Sequence, residues 1–141
     1  MTQIKIKNHL VGHGCPPFIV AEAGINHNGN VDTAFKMIKL AKKSGVDAIK
    51  FQTFKAKEVV ADSKQMFTYK SQDKEITEPM LEMLKRCELS RDAWIDIKNK
   101  CDEEKIMFLS TPQNNSDLDL LLELDIPAIK VGSDDFTNLP L

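Results

Sequence analysis

The sequence predicts an α/β fold built on four parallel strands, and three observations predict it. Four short apolar runs each end in polar or charged residues: Phe18–Gly24, Ala48–Thr53, Ile106–Pro112 and Ala128–Asp135. These runs hardly alternate between apolar and polar positions, the pattern of strands buried on both faces. Between them lie segments with helical spacing, so that strand, helix and strand follow one another within about thirty residues, which forces a parallel pair and a right-handed crossover. Two architectures satisfy this order: an open doubly wound sheet, or the N-terminal half of a (β/α)8 TIM barrel.

Each element has a local reason. Ile4-Lys5-Ile6-Lys7 alternates as a short half-exposed strand does, and Gly12, Gly14, Pro16 and Pro17 make a turn before the first buried strand. After Gly24 the polar run Asn26-His27-Asn28-Gly29-Asn30 turns the chain into a helix over Val31–Lys43, with Ala34, Ile38 and Ala41 at helical spacing. Asn30 or Asp32 suits its start; Lys42, Lys43 and Gly45 suit its end. Lys55–Glu78 is polar and without a sustained period, so it reads as a loop insertion with a helical turn. Pro79 opens a short helix through Met83, Leu84 and Cys87, and a second helix follows Ser90 with Trp94, Ile97 and Cys101 on one face. Ser116-Asp117-Leu118-Asp119 resembles a capping box leading a helix through Leu118, Leu121 and Leu122. The fourth strand follows, and Asn138-Leu139-Pro140-Leu141 adds no helix to cover it. A complete barrel needs roughly 200 residues or more. The expectation is therefore one partial barrel domain over residues 1–141, truncated after its fourth core strand.

Composition narrows the function. With 42% hydrophobic and 28% charged residues the chain can bury a core. A net charge of -2 gives no reason to expect nucleic acid or an anionic membrane surface as partner. Cys15, Cys87 and Cys101 lack metal-type spacing, and no signal-like or membrane-length apolar stretch is present, so a cytoplasmic protein with reduced thiols is expected.

The carboxyl ends of parallel strands are where α/β proteins place chemistry. Lys50 and Lys130 each follow an Ala-Ile pair inside an apolar run, and such a cation needs an anionic partner. A bound phosphate or carboxylate would supply one, with Thr111 and Ser133 adding hydroxyl donors and Gly132 allowing close backbone approach. Glu22, within its own strand, suits either proton transfer or pairing with a lysine. Gln52 and Asp135 complete the edge, while His27 reads as a hydrogen-bonded turn residue. Neither a Walker A sequence nor a G-x-G-x-x-G fingerprint occurs.

The run Ala21-Glu22-Ala23-Gly24-Ile25-Asn26-His27-Asn28-Gly29 resembles the first-strand motif of the sialic acid (N-acetylneuraminate) synthase family. Ile49–Thr53, Leu109–Pro112 and Lys130–Leu141 are similar to its next three strand motifs, in the right order and covering nearly the whole chain. The resemblance implies a (β/α)8 barrel that condenses phosphoenolpyruvate with N-acetylmannosamine or a related amino sugar to a nine-carbon 2-keto sugar acid, releasing phosphate. It implies that Lys50, Thr111, Lys130 and Ser133 hold phosphoenolpyruvate, that Gln52 contacts the sugar, and that Glu22 is an acid/base carboxylate. Asp135 stands where many relatives carry a second catalytic glutamate, and Gln113 replaces a usual phenylalanine, which implies an altered sugar pocket. A divalent metal, typically manganese, bound by histidines later in the barrel, a small C-terminal domain and a homodimer are implied as well; those regions lie outside this chain. A Schiff-base aldolase with Lys50 or Lys130 as nucleophile, and a non-catalytic anion-binding module, are the alternatives.

Overall fold

The computed structural model describes residues 2–141. The amino-terminal segment is an antiparallel hairpin, β1 (Gln3–Ile6) and β2 (His9–Gly12), so the single strand expected there is one arm of a pair. Then come β3 (Val20–Gly24), α1 (Val31–Lys43), β4 (Ala48–Thr53) and a single-turn α2 (Ala56–Val59). A second antiparallel hairpin, β5 (Met66–Ser71) and β6 (Lys74–Pro79), leads to α3 (Met80–Cys87), α4 (Arg91–Glu103), β7 (Met107–Pro112) and α5 (Asn115–Glu123).

The helices start where local chemistry directs. Asn30 caps α1 by accepting from the Thr33 N–H, and Ser90 caps α4 by accepting from that of Ala93. The α5 cap lies two residues earlier than expected: the Asn114 side chain accepts from the Asp117 N–H, so Asp117 stands in the first turn and Ser116 is not the cap. The loop expected over Lys55–Glu78 is also corrected, since most of it is the β5–β6 hairpin.

The central sheet is parallel with strand order β3-β4-β7. The expected fourth strand over Ala128–Asp135 is reduced to one parallel bridge, Ser110 to Ile129, supported by the Lys130 N–H donating to the Ser110 carbonyl at 3.2 Å.

Helices cover one face of the sheet. Ile49, Phe51 and Phe108 pack there against Ala34 and Ile38 of α1, Trp94 and Ile97 of α4, and Leu121 of α5. Ser110 and Thr53 also point to that side and bond each other through their hydroxyls at 2.7 Å, so both buried polar groups are satisfied. On the other face a smaller apolar group, Ala48, Met107 and Leu109 with Ile6, Phe18 and Ala128, closes the base. One-sided helix cover differs from an open doubly wound sheet, which has helices on both faces.

Candidate functional site

Strand alternation assigns the predicted residues to faces. The register pairs Glu22 with Lys50, Lys50 with Leu109, and Gln52 with Thr111, so all four polar residues project from the face opposite the helices. Ile129, bridged to Ser110, belongs to the helix side, which places Ala128 and Lys130 on the open face, as the packing of Ala128 on the base cluster requires. Lys50 and Lys130 thus share a face on different strands, separated by β7. Two strand spacings and a two-residue offset put their backbones about 12 Å apart.

The anion that partners Lys50 is Glu22. Their side chains form an ion pair in which the Lys50 ammonium donates to a Glu22 carboxylate oxygen. The lysine side chain is 14% exposed and the glutamate 53%, so the pair reaches from the sheet floor toward solvent. A β-bulge shapes this spot: Glu22 pairs with Lys50 and Gly24 with Phe51, leaving Ala23 as the extra residue. Gly24 has a φ of 55°, and a Cβ there would stand 3.6 Å from Glu22 Oε1 and 3.9 Å from Gln52 Nε2. The carboxylate and the carboxamide therefore flank one glycine. Sequence reasoning missed this role of Gly24, although a glycine closing an apolar strand beside a charge is its signal.

Thr111 carries an unusual hydroxyl. The residue is 3% exposed, and its Oγ1 has no hydrogen-bond partner among the described residues. An orphaned buried hydroxyl costs free energy until a ligand or water meets it. Lys130 and Ser133 are exposed, and Asp135 is half-buried in a local turn, its carboxylate accepting from Asn138 Nδ2 at 3.0 Å. Gly132 offers less access than expected, because the Asp134 carboxylate occupies the place a side chain would take. The structure therefore brings Glu22, Lys50, Gln52 and Thr111 together, and sets Lys130, Ser133 and Asp135 on the looser segment beyond β7.

His27 is 1% exposed and packs against the rings of Phe51 and Trp94, with centroids 6.0 and 6.2 Å away. Its Nδ1 accepts from the Gly29 N–H, and burial lowers its pKa, so the neutral ring pins the turn after β3. Asp117, also 1% exposed, was not anticipated: burial, aided by the charge of Glu58, pushes its carboxyl up to about 6. Among the described residues no group of three or more His, Cys, Asp or Glu stands close enough to hold a metal ion, so they do not form a site for one. A cavity of about 780 Å³ opens away from the sheet face, among Lys55, Glu58, Glu88, Arg91 and Ser116. Lys55 pairs with Glu88 and Arg91 with Glu123, and none of the predicted site residues lines it.

Residues 37–141 match the model of the NeuB family. This chain belongs to the NeuB family. It is 38% identical over 122 residues to an N,N'-diacetyllegionaminic acid synthase of Campylobacter jejuni, covering 86% of this chain and 36% of that protein. It is 31% identical over 140 residues to the human N-acetylneuraminate-9-phosphate synthase, covering 92% of this chain and 36% of that protein. Among solved structures, an N-acetylneuraminic acid synthetase from Leptospira borgpetersenii, in complex with citrate, superposes with a TM-score of 0.85 at 27% identity, over 99% of this chain and 44% of that one. The NeuB-family chain thus spans between about a third and under half of the length of these relatives.

Proposed function

We propose that this chain supplies the donor-binding floor of a synthase that joins phosphoenolpyruvate to an N-acetylated amino sugar, yielding a nine-carbon 2-keto sugar acid and phosphate. Membership in NeuB and the names of the relatives support that reaction class. The observation that carries the reading is the Glu22–Lys50 pair beside the orphaned Thr111 hydroxyl, on one open face at the carboxyl ends of parallel strands. One-sided helix cover supports a half-barrel, whose missing half would close over that face.

The chemistry follows from those groups. The enol C3 of the donor forms a bond to the aldehyde carbon of the open-chain sugar as the carbonyl π bond breaks, its oxygen takes a proton to become a hydroxyl, and C2 is left as an oxocarbenium ion. Water then adds at C2, and the tetrahedral intermediate loses phosphate by cleavage of the C2–O bond, leaving the ketone. Lys50 binds the anionic donor, Thr111 donates to one of its oxygens, and Lys130 with Ser133 reaches in from the segment beyond β7. As Lys50 turns to the donor, the Glu22 carboxylate is freed to take a proton from the attacking water. Asp135 is the second proton-transfer group, and Gln52 beside Gly24 meets the sugar. In this reading the ammonium of Lys50 is a clamp, and its ion pair disfavours the Schiff-base aldolase alternative.

The deciding experiment titrates the chain with phosphoenolpyruvate and follows backbone amides by NMR. Saturable shifts at residues 22, 50, 52 and 111 are expected, abolished by Lys50→Ala. Undiminished affinity in Lys50→Ala would remove the clamp and the reading with it.

A further inference from the structure

We propose that the cavity bounded by the turn after β3, the β5–β6 hairpin and α3 is a second carbohydrate pocket, one that takes an N-acetylated amino sugar. The cavity measures about 560 Å³, and none of Glu22, Lys50, Gln52 or Thr111 lines it. Pockets for small ligands span about 300–1,000 Å³ and combine an apolar lining with a few placed polar groups.

Its wall is aromatic. Phe67 and Tyr69 stand two apart on β5 and so share a face, with centroids 6.1 Å apart and ring planes 24° from parallel. Phe67 is 41% exposed and no residue of the central core packs on it, an exposure that a flat apolar ligand face would remove. The wall is also fixed in place. The Tyr69 hydroxyl donates to Glu78 at 2.8 Å, and Glu78 accepts two further bonds from the Arg86 guanidinium, at 2.8 and 2.6 Å.

That triad spends the charge of Arg86 within the protein, leaving Lys70 and Ser71, which also line the cavity, to donate to ligand oxygens. The cavity also offers two carboxamides. Asn26 and Asn28 line the cavity from the opposite side, and neither makes a side-chain hydrogen bond among the described residues. Their backbone is held by turn bonds, Asn26 N–H to the Ala23 carbonyl at 3.1 Å and Asn28 N–H to that of Ile25 at 2.9 Å. Two carboxamides carried on this hydrogen-bonded turn, in a cavity that Phe67 and Tyr69 also line, suit ring hydroxyls that both donate and accept. Ile25 and Met83 add an apolar patch for an acetamido methyl. The choice of an N-acetylated amino sugar rests on the functional reading above; the pocket as a carbohydrate site does not.

The test titrates the chain with N-acetylmannosamine and, separately, with mannose. Saturable shifts are expected at the side-chain NH2 groups of Asn26 and Asn28 and along residues 67–71, stronger for the acetylated sugar. Phe67→Ala should weaken binding at least ~10-fold, the loss typical of removing an aromatic anchor. Asn28→Asp, which tolerates the positive φ of 51° at that position, should weaken it too. Lys50→Ala should leave this binding unchanged, and ring-current shifts from Trp94 report that each variant is folded. Shifts confined to residues 22, 50, 52 and 111, no saturable shift at all, or full affinity in Phe67→Ala would each overturn the proposal. Equal response to mannose would overturn its N-acetyl specificity. None of these outcomes alters the phosphoenolpyruvate titration, so the two readings fail separately.

Discussion

Thr111 separates binding from stability within a single side chain. Its buried hydroxyl has no partner, so Thr111→Val removes an unsatisfied group while keeping the shape. Urea unfolding should show stability unchanged or raised by up to about 1–2 kcal/mol, while phosphoenolpyruvate affinity falls several-fold; unaltered affinity would show that no donor oxygen meets the hydroxyl. Two buried titratable residues make opposite predictions for pH. His27 is held below its usual 6.5 by burial, so the stability it confers is full above 6.5 and is lost as pH falls through its depressed value. Asp117 is raised from 3.8 to about 6 by burial and the nearby Glu58, so its contribution is full below 3.8 and is lost as pH rises through about 6. Accordingly Asp117→Asn should raise the melting temperature at pH 7 and have little effect near pH 4. His27→Gln should flatten the decline between pH 7 and 5.5. Thermal melts across that range check both, and identical pH profiles for variants and parent would refute them. The burial of His27 is a tertiary fact: a polar turn in the sequence gave no sign that its ring would enter the aromatic cluster around Phe51 and Trp94.

Two local elements hold the loops at the strand ends. The turn Asn26–Asn30 fits against the end of α3 because Gly29, at a φ of 71°, presents no Cβ to the Arg86 carbonyl, where one would collide. Gly29→Ala should destabilise by at least about 1–2 kcal/mol from the left-handed conformation alone, measured by denaturant unfolding, with the collision adding to it. The second element is the β5–β6 hairpin, tied to α3 through Tyr69, Glu78 and Arg86. Hydrogen bonds from Arg86 and Tyr69 hold the Glu78 carboxyl below the usual carboxylate range. Arg86→Met should accelerate amide hydrogen exchange across residues 66–79 while β4 and β7 stay protected; unchanged exchange in the hairpin would show that the tie is dispensable. This hairpin was illegible in the sequence for a physical reason. Both its strands are largely exposed, so no buried face imposes a period of two. Its turn residues, Gln72 and Asp73, both have positive φ without the Asn-Gly or Asp-Gly signal of such turns.

At the scale of the whole molecule, the sheet has helices on one face, and its remaining face and edges are only partly covered. Ile19 and Val20 are 51% and 37% exposed along the β3 edge, and beyond β7 a single bridge stands in place of a strand. Unpaired edges template association with other chains. The chain in isolation should self-associate with rising concentration, and Val20→Lys at the edge should reduce this, as read by light scattering. A strictly monomeric parent at high concentration would show that the edge is protected.

From the order of residues alone one could derive the three core parallel strands, the helices between them, starting near Asn30 or Asp32 and after Ser90, and the strand ends where Glu22, Lys50, Gln52 and Thr111 lie. These depend on periodicity, capping and strand-end polarity, which act over a few residues. What the tertiary structure decided is which of those ends meet: that Glu22 is the anion answering Lys50, that Thr111 is left without a partner, and that Lys130, Ser133 and Asp135 sit on a segment joined by one bridge. Those outcomes follow from register between strands roughly thirty to sixty residues apart and from burial by distant helices. No local pattern encodes them.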